Sequence, residues 1–176
     1  MALNSYVAEP MSTKQIRKIV REFRKYLNIE FDEYINVVKY LDFLTFIDPM
    51  FDYQIVEDNE LPEGVQAETD VINHIIRIKQ SIYEGACAGD EFGRMTIAHE
   101  IGHYILVCIV GITFARNTSR TGYVVTYRDP EWQATVFASE FLAPSYLIKD
   151  LEAEEISKRF GITLQAASTQ LRHLDK

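Results

Sequence analysis

Apolar residues recur along most of this chain at intervals of three and four, the spacing of one helix face, with short β-branched runs confined to its middle. Ser12 is placed to cap a helix that carries Ile16, Ile19, Val20, Phe23 and Leu27 on one side and Lys14, Arg17, Lys18, Arg21, Arg24 and Lys25 on the others. The same spacing through Tyr34, Val37, Val38, Leu41 and Leu44 predicts a second helix over Phe31 to Ile47. It ends at Asp48, because Pro49 disfavours helix for the residue before it. Met1 to Pro10 has no period and is expected to be a flexible tail.

Beyond Pro49 the period shortens. Phe51 to Val56, Val65 to Glu68 and His74 to Lys79 are short and partly β-branched, so they predict strands, the last of them close to a sheet edge. Ser81 to Phe92, broken by Gly85 and Gly89, predicts a short helical turn and a loop. A long helix then runs from about Glu91 or Gly93 to Val110, where Gly111 is a natural stop. Gly102 inside it costs about 1 kcal/mol relative to alanine, which predicts close approach of another backbone. Ile112 to Ala115 and Tyr123 to Tyr127 read as a hairpin or flap around Arg116 to Gly122.

Two further signals close the chain. Asp129 as cap and Pro130 at the first helical position start a helix that reaches Leu142, with Pro144 beyond its end. Leu151 to Leu174 gives a helix, a turn at Gly161 and another helix, similar to a helix-turn-helix. The expected organisation is α+β, with helices on a small, mostly antiparallel sheet. It divides into a tail (1–10), a main unit (11–148) and a C-terminal helical hairpin (149–176).

Composition narrows the function. With 47% hydrophobic and 25% charged residues in 176, the chain carries one good core. A formal net charge of −8 argues against a protein whose main work is gripping phosphate backbones. Cys87 and Cys108 have no metal-binding spacing and read as free thiols. The start lacks the basic run and apolar core of a signal peptide, and Ile105 to Ile112 is too short to span a bilayer. A cytoplasmic protein without a membrane partner is expected.

The chemistry concentrates at Thr96 to Tyr104, Thr-Ile-Ala-His99-Glu100-Ile-Gly-His103-Tyr. On a helix His99 and His103 stand one turn apart on a single face, so both imidazoles can reach one metal ion, the constellation of zinc hydrolases. Hydrolytic zinc sites normally take three protein ligands, and the position six residues past His103 is Ile109, which leaves a downstream glutamate. Glu131 lies on the apolar stripe of Ala134, Phe137, Ala138, Phe141 and Leu142, where a carboxylate must pair, protonate or bind metal. A buried ion pair is the alternative for Glu131, and packing in the core is the alternative for the histidines. Glu140 falls half a turn away toward solvent.

The run Met95 to Tyr104, followed by Asp129-Pro130-Glu131-Trp132-Gln133-Ala134 through to Pro144, resembles the ImmA/IrrE family of zinc peptidases. The similarity also takes in Leu61 to Val65 and Tyr83-Glu84-Gly85, and so covers most of the chain. It departs at Val107, where many relatives have histidine, and at Ala143, where they usually have methionine. The resemblance implies a zincin-like fold, Zn2+ on His99, His103 and Glu131, and Glu100 as general base. It also implies a protein substrate, a helix-turn-helix repressor of a phage or mobile element whose cleavage relieves repression. Tyr104, Tyr123 and Tyr127 offer hydroxyls for an oxyanion, and spacing does not choose among them.

Two other readings stand beside this one. One is a metal-holding regulatory protein that binds a repressor or DNA with little or no turnover; the other is a structural zinc site. DNA contact would fall to Gln165, Gln170, Arg172 and His173 of the last helix, but a hairpin packed on the main unit is the favoured reading.

Overall fold

Helices, four of them capped by a side chain, pack around a small sheet in the computed structural model, which describes residues 6–116 and 124–174. In chain order the elements are β1 (Tyr6–Ala8), α1 (Thr13–Tyr26), α2 (Lys39–Ile47), β2 (Asp52–Val56), β3 (Ala67–Asp70), β4 (Ile75–Lys79), α3 (Gln80–Ala88), α4 (Glu91–Tyr104), β5 (Phe114–Arg116), α5 (Pro130–Leu142), α6 (Ser145–Ile148), α7 (Ala153–Phe160) and α8 (Leu164–Arg172). The architecture is α+β, with eight α-helices among the described residues.

Ser12 caps α1 as its position predicts: its hydroxyl accepts from Gln15 N at 3.3 Å, while Gln15 Oε1 accepts from Ser12 N at 2.9 Å. Asp129 does the same for α5, accepting from Glu131 N at 3.0 Å. The second helix is shorter than its period suggests, because 31–38 forms turns. Two arginines hold them. Arg24, fully buried, donates to the carbonyls of Ile29 (2.8 Å), Asp32 and Phe141. Arg94, equally buried, reaches Ile35 O and Phe160 O at 3.1 Å each and lies 3.8 Å over the Tyr34 ring. Carbonyls committed to these guanidiniums are not free for a helical ladder.

The sheet has the order β2-β4-β3. It is mixed: β2 runs parallel to β4, with Tyr53 opposite Ile76, and β3 runs antiparallel to it, with Thr69 opposite Ile76. The expectation that His74 to Lys79 lies close to the edge is therefore corrected. β4 is central, and β3 is the edge strand that packs beside α4. Ile76 and Ile78 are both fully buried, so β4 shows the alternation of a strand covered on one face, which gives no sign of its neighbours. The interval 80–88 is a full helix and not a turn, ended by Gly89 at φ 91°.

β1 pairs antiparallel with β5, Val7 opposite Ala115. Tyr6–Ala8 is thus held in place, and Gln133 Nε2 also ties down Glu9 O at 2.8 Å. The partner strand lies about a hundred residues away, so nothing local to the tail signals it. Thr126–Arg128 is a 3₁₀ turn, and the tip of the expected flap, 117–123, lies outside the described residues.

α4 packs along α5, α1 covers α5 from another side, and α3 lies against α4. The C-terminal hairpin shares the core through Ile156, Phe160, Ile162 and Ala167. Glu140, expected toward solvent, is 2% exposed. It accepts from Arg17 Nε at 2.8 Å, Gln170 Nε2 at 2.8 Å and Ser145 N at 2.9 Å, joining α1, α5 and α8.

A β-carbon on Gly102 would stand 3.2 Å from Ala134 O and 3.0 Å from Phe137 Cδ1 on α5. The glycine is there because α5 comes this close. Gly102→Ala gains about 1 kcal/mol of helix propensity but forces α5 back, at about 1–3 kcal/mol. We expect a net loss, read as a lower midpoint in urea. A midpoint at or above the wild-type value would show that α5 yields freely.

Candidate metal centre

The centre is built from two helices. α4 is capped by Asp90, whose carboxylate accepts from Gly93 N at 2.7 Å, and carries His99, Glu100 and His103 about two and a half to three and a half turns on. α5 begins at Asp129 and presents Glu131 in its first turn, where the helix dipole favours a carboxylate. The close approach at Gly102 sets one against the other.

His99 Nε2 and His103 Nε2 lie 3.0 Å apart. Glu131 Oε2 is 3.2 Å from the first, and its Oε1 is 3.5 Å from the second. Two imidazole nitrogens at this distance turn lone pairs on each other unless a proton or cation lies between them. Zinc bonds of about 2.0–2.2 Å in a tetrahedron need ligand atoms about 3.3–3.5 Å apart. Three donors of the type that holds zinc, at nearly that spacing, make His99, His103 and Glu131 a possible metal group.

Burial of the His99 ring favours its neutral form, but the hydrogen bond to Glu131 and the charges of Glu100 and Glu131 outweigh it and raise its pKa. Hydrogen bonds from His103 and then His99 hold the Glu131 carboxyl well below the usual carboxylate range. A carboxylate held anionic beside imidazole donors is the electrostatic preference of a site for a cation. Glu131 is also more open than its stripe suggested, at 41% side-chain exposure, because the helix start leaves one side of the pair uncovered.

The sequence reading missed two supporting side chains. Thr135 Oγ1 stands 3.4 Å from His99 Nδ1 and donates to Glu131 O at 2.8 Å. With Nδ1 as the protonated nitrogen, Nε2 is free to ligate. Its position four residues after Glu131 was a readable signal. Thr69, on β3, donates to Glu100 Oε2 at 2.6 Å. Nothing in the sequence links it to the motif, since the sheet edge brings the two together. Glu100 itself is only 7% exposed and lies beside the ligand pair without joining it.

The tyrosines separate. Tyr104 is fully buried, and its hydroxyl donates to Asp48 Oδ2 at 2.5 Å with His74 Nδ1 at 2.8 Å. That bond holds the Asp48 carboxyl below its ordinary range and burial helps to push the phenol far above its own, so Tyr104 anchors the end of α4 and is no oxyanion donor. Tyr127 is exposed, and Tyr123 lies outside the described residues. The helix then loosens into a π-helical turn, Ile105–Ile109, before Gly111 at φ 81°.

No protein family matches the chain, and no curated protein does. A solved structure does. The chain is similar in fold to a Mycobacterium tuberculosis transcriptional regulator. The two superpose with a TM-score of 0.61 over 92% of this chain at 12% sequence identity. This chain spans about half of that regulator, 47% of its length. At such identity the likeness is one of fold alone. No helix of the described residues is long and apolar enough to cross a membrane.

Proposed function

We propose that the protein is a metal-dependent regulator whose metal site is built to hydrolyse a peptide bond. The fold it has in common with a transcriptional regulator supports the regulatory half, and taken alone it favours a metal-holding protein that binds a repressor or DNA. The observation that carries the hydrolytic half is Glu100, a carboxylate beside two imidazole donors but outside the group they form with Glu131. A shielded carboxylate that is not itself part of the metal group is placed to take up and release a proton beside it. Zn2+ is the metal the donor set suits, and the ImmA/IrrE resemblance, which implies a zincin-like fold, points the same way.

Bound zinc would supply a polarised carbonyl and an attacking water of lowered pKa. The protein's own groups do the rest. Glu100 accepts the water's proton and returns it to the leaving amine. Thr69 is a positioning residue: its hydroxyl fixes one carboxylate oxygen of Glu100 and leaves the other to the proton. Thr135 sets the His99 tautomer. The substrate we propose is a helix-turn-helix repressor of a phage or mobile element, whose cleavage would relieve repression.

Glu100→Gln tests this directly. The variant should keep zinc and fold while cleavage of the repressor encoded beside it falls to background. Thr69→Val should slow the same cleavage about tenfold with zinc retained, and Thr69→Ser should restore it. Cleavage at the wild-type rate in Glu100→Gln would overturn the role given to Glu100, and wild-type protein that holds zinc without cleaving the repressor would leave the non-catalytic regulator as the function.

A further inference from the structure

A basic ridge beside an apolar groove stands apart from the metal centre. Of the 18 lysines and arginines in this acidic chain, α1 holds six in 14 residues, with Glu22 as its single acid. Arg17 and Arg24 are engaged with Glu140 and with loop carbonyls. Lys14, Lys18, Arg21 and Lys25 are exposed and follow one another at three and four residues, so they form a continuous stripe.

The neighbouring side of α1 is apolar and open. Ile19, Phe23 and Tyr26 form one wall of a groove of about 660 Å³. Ile47, Ile109 and Val110 form the other, supplied by the end of α2 and by the π-helical turn with the residue after it. Tyr26 is 68% exposed, Ile109 43% and Val110 44%. Large apolar side chains left open in a groove rimmed by charge are the mark of a surface that receives a partner.

We propose that this groove docks an amphipathic helix that inserts its apolar face between α1 and the π-helical turn and sets acidic residues against the α1 stripe. A helix laid along α1 would present apolar anchors at i, i+3 or i+4, and i+7 to the groove, and the stripe selects for Glu or Asp beside them. Glu22 and Glu30 are the opposing charges beside the stripe, paired with Lys25 and Arg21 at 2.9 Å each, so Lys14 and Lys18 are the cations the stripe sets toward a partner. Nucleic acid would use the stripe but leave the apolar wall uncovered. The proposal rests on the surface alone and stands whether or not the metal centre turns over.

Synthetic labelled helical peptides of about 14 residues, the length of α1, provide the probe. One carries leucine anchors flanked by glutamate, a second has the same anchors flanked by lysine, and a short DNA duplex is the third. Fluorescence polarisation at low salt on the full chain should show the acidic peptide binding at least about tenfold tighter than the basic one. Lys14→Glu with Lys18→Glu should invert that order, and Ile109→Asp should weaken the acidic peptide about tenfold. All three positions are exposed, and zinc content with circular dichroism checks the fold. Equal binding of the two peptides, an acidic peptide indifferent to Ile109→Asp, or a duplex that binds where neither peptide does would overturn the proposal.

Discussion

His99→Ala should lower zinc affinity by about 10²- to 10³-fold, measured by competition with a chromogenic chelator. Zinc held by four donors in small folded sites is worth about 10–16 kcal/mol, so one protein donor accounts for roughly a quarter of that. The same loss is expected for His103→Ala, and Glu131→Gln tests the charge, because it keeps the shape of the side chain. Acid should mimic these variants. The metal competes with a proton on His99, whose pKa is raised above the ordinary imidazole value by Glu131 and Glu100 against the opposing effect of burial. Affinity is therefore full above that raised pKa and falls as pH drops through it, at a higher pH than a solvated histidine would dictate. Wild-type protein that takes up no zinc at neutral pH, or takes up as much after His99→Ala, would remove the site.

The second large effect is on stability and lies away from the metal. Glu140→Ala should cost about 3–5 kcal/mol, because it leaves a guanidinium, an amide and a backbone N–H without their shared acceptor in a place closed to water. Arg17, Gln170 and Ser145 N are those groups, and the side chains of Arg17 and Glu140 are 19% and 3% exposed. Folded domains of this size rarely have more than about 5–15 kcal/mol to lose, so thermal unfolding should begin roughly 10 °C lower. Glu140→Gln keeps an acceptor and should cost less. Zinc affinity at low temperature should be unchanged in both, which separates the structural carboxylate from the ligating one on the same helix. A melting temperature within about 1 °C of wild type in Glu140→Ala would mean that the network carries no net energy.

Glu140 and Glu131 also show how far a sequence reading reaches. Both sit on α5, and the apolar stripe placed Glu131 inward and Glu140 outward. That inference assumes one buried face. α5 is instead covered by α4 and by α1, Gln170 of the C-terminal hairpin reaches Glu140, and Gln133, Glu140 and Phe141 are all buried. Arg24 escaped in the same way, set with the other charges away from the apolar side of α1 and found fully buried. Of the four side chains in and just after α8 considered for DNA, Gln170 turns to Glu140 and Ala143 O.

By itself the sequence determined what short-range chemistry determines. Ser12 and Asp129 mark helix starts because a cap is satisfied within three residues. His99 and His103 share a face because four residues make one helical turn, and a carboxylate in the first turn of α5 was a legible third donor. Only the tertiary structure decided the rest. It placed β4 at the centre of a mixed sheet, paired Tyr6–Ala8 with a strand a hundred residues later, and brought Thr69 on the edge strand to Glu100. Such contacts depend on which surfaces meet once loops close, and that follows from the packing of the whole core, not from any window along the chain.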